Sequence, residues 1–185
     1  MVPEAKLEQT DAGLVAASAG WFVMNVRDAR WIDRGGRGYS APLTGWTDEE
    51  AETLFPQLGL QIAVLHPGKP LSMYHWETEQ EDFLVLAGNG ILIVEGQERP
   101  LRRWDFAHTP REAAHTIVAG DDGCVVLAVG SRENQAHGPW GAYTVDETAI
   151  RHGAGVEEET QEPDVAYARF AKSKPTRYRD GWLPG

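Results

Sequence analysis

Short apolar runs separated by turn residues dominate the middle of the chain. Six runs follow one another at 60–65, 83–87, 91–95, 104–108, 115–119 and 124–129. Turn chemistry separates them, most clearly at 88–90, 95–97 and 121–123, and we expect 88–90 to form a hairpin turn. Many short strands at this regular spacing predict an all-β sandwich or barrel.

The flanking segments carry weaker patterns. Residues 1–58 contain strand candidates at 21–26 and 29–32. Thr47 stands three residues before Glu50, which is the spacing of a helix capping box. We therefore predict an N-terminal strand extension with one short helix, packed on a barrel core at 59–131.

The signals change to helix in the C-terminal part, 132–185. Asp146 can cap a helix that runs to His152, and Pro163 can begin a second helical segment that reaches about Ala171. The sequence thus predicts a C-terminal extension with short helices and a tail.

The composition of the chain limits which partners it can bind and which cellular compartment suits it. The chain has 185 residues and a net charge of -11, which opposes binding to nucleic acid or anionic lipid. No apolar run approaches the roughly 20 residues that cross a bilayer. The first residues lack the basic start of a signal peptide, and the single cysteine, Cys124, cannot form an internal disulfide. We expect a cytoplasmic protein without nucleic-acid or membrane partners.

Four side chains with metal-ligand chemistry occur between the strand-like runs. His75, Glu77 and Glu81 stand at alternating positions before the run at 83–87, and His115 begins a later run. Residues two apart on a strand share a face, so His75 and Glu77 are predicted to point the same way. Imidazole and carboxylate together suit zinc, iron, manganese or nickel. The segment therefore predicts a site for one divalent metal ion of unknown identity.

The spacing of these residues resembles the first motif of the cupin superfamily. That motif runs Gly, five residues, His, one residue, His, three or four residues, Glu, six residues, Gly. Here Glu81 lies seven residues before Gly88, His75 takes the place of the first His, and Glu77 replaces the second. Gly68 is one residue further from His75 than the glycine of the motif is from its first His.

A second cupin motif is matched further along. It runs Gly, five residues, Pro, one residue, Gly, two residues, His. Trp104 and Asp105 stand in the place of Gly-Asp, Pro110 matches the proline, and His115 follows it by five residues. Glu112 stands where the motif has its second glycine.

The resemblance implies an all-β fold, the double-stranded β-helix or jelly-roll barrel of a single-domain cupin. It implies that the motif residues line the open mouth of the barrel and bind one divalent metal through His75, Glu77, Glu81 and His115. A small organic molecule would bind over the metal. The resemblance also implies a homodimer, with the N-terminal extension pairing along exposed strand edges.

Other polar residues near the motifs carry separate expectations. Glu77 could bind the metal, act as a general base beside it, or only orient His75. His108 shares its parity with Trp104, so we expect it to face the interior, where it could shuttle protons. Glu79 is expected to be exposed. The other histidines, His66, His137 and His152, stand beside Gly or Pro and are expected at the surface.

Three functions fit this sequence. The first is a metalloenzyme with Glu77 and His108 as catalytic residues, either an oxygenase with iron or an isomerase with zinc or manganese. The second is a non-catalytic sensor or binding protein. The third is a structural barrel that has lost the metal. No residue identifies the substrate.

Overall fold

A computed structural model of the chain describes residues 1–133 and 139–185, and His137 lies outside the described residues. The chain is all-β with a few short helices, as predicted. Its first two strands, β1 (Leu7–Thr10) and β2 (Gly13–Ala16), form a separate antiparallel hairpin. The sequence prediction missed both.

The remaining strands of the described residues form one antiparallel sheet that folds into the barrel. In chain order they are β3 (Trp31–Asp33), β4 (Gly38–Pro42), β5 (Leu58–Leu65), β6 (His75–Glu77), β7 (Glu81–Val94), β8 (Gln97–Arg102), β9 (Phe106–Thr109), β10 (His115–Ser131), β11 (Gly141–Tyr143) and β12 (Lys174–Thr176). The main strand order is β11-β6-β10-β5-β4-β3-β12, and β7 pairs with β10, β8 and β9. Strands from both flanking segments thus extend the sheet of the central part.

Two long strands, β7 and β10, pair with each other along most of their length. The prediction of a hairpin turn at 88–90 is wrong, because the chain continues through these residues as one strand. The pairing register shifts between Ala119 and Cys124, opposite Gly90 and Gly88. The turn-like residues therefore mark a bend at an irregularity of the ladder, where glycine permits the close approach of two backbones.

The turn between β7 and β8 follows the sequence prediction. Glu95 and Gly96 both have positive φ, 49° and 70°, as a two-residue type I′ hairpin requires. Strand β8 itself was not predicted. It is mostly exposed and polar and contains Pro100, features that are typical of an edge strand.

The core of the barrel lies between the inner faces of the paired strands. It includes fully buried Ala63, Val85, Ile117 and Val126, with Phe83 beside them. Cys124 belongs to this core as predicted, and burial raises the pKa of its thiol to about 11. A thiol held neutral in this way is inert.

Near the N-terminus the helix prediction is confirmed and one strand prediction is wrong. Helix α1 (Asp48–Leu54) begins with the predicted capping box between Thr47 and Glu50. Residues 21–26 form no strand and contribute only a bridge between Trp21 and Glu4.

The C-terminal segment follows the prediction in outline. Helix α2 (Glu147–Arg151) is capped by Asp146, and α3 (Pro163–Ala166) ends earlier than the predicted Ala171. Trp182 stacks on Tyr39 at 3.7 Å between ring centroids, so the tail docks on the sheet. No helix within 1–133 or 139–185 has the length and hydropathy to cross a membrane.

Candidate metal centre

Four polar side chains meet at one end of the barrel interior. His75 and Glu77 lie on the same face of β6, Glu81 begins β7, and His115 begins β10. The pairing of β6 with β10 places His75 directly opposite His115, with ring centroids 5.1 Å apart. The structure thus brings together all four residues that the sequence predicts as ligands.

Both imidazole rings are held by backbone carbonyls. His75 Nδ1 lies 2.8 Å from the carbonyl oxygen of Met73, and His115 Nδ1 lies 2.8 Å from that of Ala113. A carbonyl oxygen only accepts, so each Nδ1 must carry the proton and donate it. Each Nε2 is thereby aimed into the cluster, and in the neutral ring this nitrogen has a free lone pair.

The Nε2 atoms face carboxylates. His75 Nε2 lies 2.9 Å from Glu77 Oε1 and 3.8 Å from Glu81 Oε2, and His115 Nε2 lies 3.0 Å from Glu81 Oε2. One ligand atom each from His75, Glu81 and His115 falls within 4.8 Å of the other two. Glu77 contacts His75 but does not belong to this group of three. The arrangement is a compact set of two nitrogen donors and one oxygen donor, with a second carboxylate beside it.

The charges of the cluster stabilise one another. Burial lowers the pKa of His75, but its hydrogen bond with Glu77 and the negative charges of Glu77 and Glu81 outweigh this, and the pKa is raised. Burial raises the pKa of Glu81, but its hydrogen bond with His115 and the nearby histidine charges outweigh that, and the pKa is lowered. Glu81 is therefore ionised at neutral pH and ready to bind a cation.

The carboxylates, not the histidines, open to solvent. The side chains of His75 and His115 are 5% and 3% exposed, against 23% for Glu77 and 18% for Glu81. Glu77 and Glu81 line a cavity of about 280 Å³. Glu77 also lines a neighbouring cavity of about 690 Å³. A small molecule can thus approach the cluster from the side of the two glutamates.

Aromatic rings wall the cluster, and the sequence prediction missed two of them. Trp140 and Tyr143 lie 5.9 and 5.8 Å from the His75 ring, and both line the larger cavity beside Glu77. Tyr143 is in β11, which pairs with β6. Since more than 60 residues separate these strands, no local pattern signals the contact.

The prediction that His108 faces the interior is wrong. On β9, Ala107 and Thr109 are buried whereas Phe106 and His108 are exposed, so His108 lies on the outer face. Its Nδ1 contacts Asp82 Oδ1 at 2.7 Å. A side chain on this face does not reach the cluster, and its predicted catalytic role gains no support.

The prediction that Glu79 is exposed is also wrong. This residue is 3% exposed and lies between β6 and β7, where the regular alternation of the strands is interrupted. Its carboxylate is 3.9 Å from the guanidinium of Arg111. Glu79 also lines the larger cavity, next to Glu77.

The two replaced motif glycines keep an unusual backbone. Trp104 has φ 75° and Glu112 has φ 66°, the left-handed region that normally favours glycine. The Glu112 amide donates to the carbonyl oxygen of Glu77 at 2.8 Å. The loop before His115 therefore keeps its shape, and its contact with β6, without a glycine.

Comparison with known proteins points to one family. A family model described as the cupin domain matches residues 61–130. Among solved structures, the polyketide cyclase RemF from Streptomyces resistomycificus aligns with 61% of this chain and 80% of its own, at 17% identity and TM-score 0.51. KdgF from Halomonas sp. aligns with 62% of this chain and 94% of its own, at 20% identity and TM-score 0.50. Likeness at these identities shows the fold alone.

A third structure is more similar in sequence but less in shape. It is a candidate sugar phosphate isomerase from Acidithiobacillus ferrooxidans, with 27% identity and TM-score 0.42 over 51% of this chain. The chain spans only 60% of the length of that protein. No curated protein sequence matches significantly.

Proposed function

Because residues 61–130 match the cupin domain, we propose that the chain binds one divalent transition metal through His75, Glu81 and His115 and acts on a small organic molecule beside it. The observation that carries this proposal is the anchoring of both imidazoles through Nδ1. It leaves two Nε2 atoms and the Glu81 carboxylate converging within 4.8 Å.

The donor set can hold a metal ion in place of the protons of the two histidine–carboxylate contacts. With both Nδ1 protons donated to carbonyls, a neutral Nε2 and a carboxylate oxygen at 2.9 to 3.0 Å would face each other with lone pairs. Either a proton or a metal ion must therefore lie between the nitrogen and the oxygen. Two histidines and a carboxylate suit zinc, iron, manganese or nickel.

A bound metal would supply Lewis acidity for isomerase-type chemistry or, if it is iron, open positions for oxygenase chemistry. The residues around the metal would determine the polarity of the site and its access to water. Trp140 and Tyr143 form an apolar wall that limits water near His75. Burial raises the pKa of Tyr143 well above its usual range, so its hydroxyl stays protonated and adds no charge to the wall of the cluster.

We assign Glu77 to proton transfer. It is more exposed than Glu81, lines both cavities, and contacts His75 without joining the group of mutually close ligand atoms. These features suit a general base that takes a proton from a molecule in the cavity. The alternative role of Glu77 as a fourth ligand would make metal binding depend on its charge.

Two further proposals concern the whole protein. A cytoplasmic location is supported by a sequence with one cysteine, which is buried and inert. A homodimer is the state that the family resemblance implies, and light scattering on the purified protein would measure it.

The metal content of the purified protein tests the proposed function. We expect mass spectrometry to find about one equivalent of one transition metal in protein prepared without chelators or a histidine tag. His115→Ala should lose the metal because it removes a ligand. His108→Ala is the matched control, since it removes a histidine–carboxylate contact on the outer face, and it should keep the metal.

The same measurement separates the alternatives. Glu77→Gln should keep the metal if this residue is a base and lose it if it is a ligand. Protein that stays empty even after reconstitution with each of the four metals would refute the metalloenzyme and leave a binding or structural barrel.

A further inference from the structure

A third cavity, of about 550 Å³, lies between the N-terminal strands of the sheet and the C-terminal residues 163–173. Arg34 and Arg37, from the turn between β3 and β4, both line it. Lys172 and Asp164 line its C-terminal side. The cavity thus carries three positive side chains against one negative, in a chain whose net charge is -11.

The two guanidinium groups lie together and are incompletely paired. Arg34 Nη2 and Arg37 Nη1 both donate to the carbonyl oxygen of Leu71, the second at 3.3 Å. Arg34 Nη1 and Arg37 Nε are buried and have no hydrogen-bond partner among the described residues. Buried donors without acceptors cost free energy, and such exceptions need an explanation.

No carboxylate of the described residues lies within 4.0 Å of either guanidinium. Arg37, which is only 6% exposed, instead lies over the rings of Tyr167 and Phe170, at 4.4 and 5.3 Å. Burial and the adjacent charge of Arg37 lower the pKa of Arg34 to about 9. Two like charges, one buried and one half-buried, repel each other when no counter-ion is near, and an anion between them would relieve that repulsion.

We propose that Arg34 and Arg37 form an oxyanion-binding site for the carboxylate or phosphate group of a small organic molecule. The planar fork of a guanidinium matches both groups through paired hydrogen bonds. The Arg37 guanidinium lies over the rings of Tyr167 and Phe170, and these contacts hold one fork in place in advance.

The position of this site bears on the metal centre. Pro42, Trp46 and Gln61 line both this cavity and the smaller one that contains Glu77 and Glu81. An organic acid or phosphate ester anchored by the arginines could extend through the shared wall toward Glu77. This last step rests on the proposed function, whereas the oxyanion site does not.

Calorimetric titration of chelator-treated protein tests the oxyanion site without the metal. Inorganic phosphate and succinate serve as separate probes of the two anion types, and we expect at least one to bind. Arg34→Gln and Arg37→Gln should each weaken that binding about tenfold or more, since each removes a charge-assisted contact. Arg99→Gln, which changes an exposed arginine of β8, should bind as the unchanged protein does.

Failure of the oxyanion site can be distinguished from failure of the metal site. His115→Ala should lose the metal but keep the anion, because His115 lines neither the third cavity nor its shared wall. Binding of phosphate alone would identify a phosphate ester as the ligand class, and binding of succinate alone a carboxylic acid. Failure of both probes to bind, or equal binding by the arginine variants, would overturn the proposal. Circular dichroism checks folding, and Arg34→Gln decides alone if Arg37→Gln does not fold.

Discussion

Glu81 and Asp82 are neighbours in the chain, and each contacts a histidine, yet the two pairs serve different parts of the molecule. Glu81 lies 3.0 Å from His115 inside the barrel, and Asp82 lies 2.7 Å from His108 on its outer face. The alternation of β7 and its partner strands separates them. The same two chemical groups thus occur on opposite faces of one strand.

The surroundings of the two pairs differ. The inner pair is 3% and 18% exposed, whereas the outer pair is 49% and 28% exposed. His115 uses Nδ1 to hold a backbone carbonyl and presents Nε2, while His108 uses Nδ1 for the carboxylate itself. Among residues 1–133 and 139–185, a second histidine, His75, contacts the inner pair and none contacts the outer pair. A histidine–carboxylate contact becomes a candidate metal site when it is desolvated, anchored and joined by further donors.

Substitutions in the inner and outer pairs should differ most in their effect on metal affinity. Glu81→Gln removes a charged ligand and should weaken metal binding at least about 100-fold, because even changes to groups that only support ligands cost 10- to 100-fold. Asp82→Asn should change the affinity little. Competition with a chromophoric chelator measures both variants, and equal affinities would place the site elsewhere.

A smaller difference is expected in the stability of the metal-free protein. His115→Ala leaves the little-exposed Glu81 carboxylate without its donor, which should lower the free energy of unfolding by about 2 kcal/mol. His108→Ala breaks an exposed pair and should cost less than about 1 kcal/mol. Urea unfolding of chelator-treated protein at pH 6 compares them. A larger loss in His108→Ala would reverse the comparison.

The smallest effect concerns pH. The folded-state pKa of His75 is raised above its ordinary value of 6.5, so the stabilisation is fully present below pH 6.5 and is lost as the pH rises through the raised value. A tenfold change in the proton affinity of a group corresponds to about 1.4 kcal/mol of stability. Unfolding of the metal-free protein from pH 6 upward should show this loss.

Two variants check the assignment of that pH dependence. His75→Gln should remove it, since no titratable ring remains at this position. His108→Ala should retain it, because its contact lies on the other face. An unchanged pH profile in His75→Gln would show that another group is responsible.

The sequence predicted the inner cluster through strand alternation and through the resemblance to the two cupin motifs. Alternation placed His75 and Glu77 on one face, and motif spacing placed Glu81 and His115 near them. For His108 the alternation itself held, since His108 is exposed like Trp104 and Phe106. The prediction failed because these two aromatic side chains lie on the outer face and not in the core. The alternation failed for Glu79 because the chain leaves the strand between β6 and β7.

Long-range pairing accounts for what could not be predicted. The approach of Trp140 and Tyr143 to His75 depends on β11 joining β6 from a distant part of the chain. The contact of Arg37 with Tyr167 depends on the C-terminal segment folding back over the N-terminal strands. Glycines at 88 and 90 have the chemistry of a turn, and only their neighbours on β10 make them part of a strand.

The ring nitrogens of the histidines test the central claim most directly. Chelator-treated protein labelled with ¹⁵N would be titrated with Zn²⁺ and its imidazole signals followed by NMR. We predict that the Nε2 signals of His75 and His115 shift together and saturate at one equivalent, while those of His108 stay in place. Shifts confined to His108, or no shift at His75 and His115, would contradict a metal centre inside the barrel.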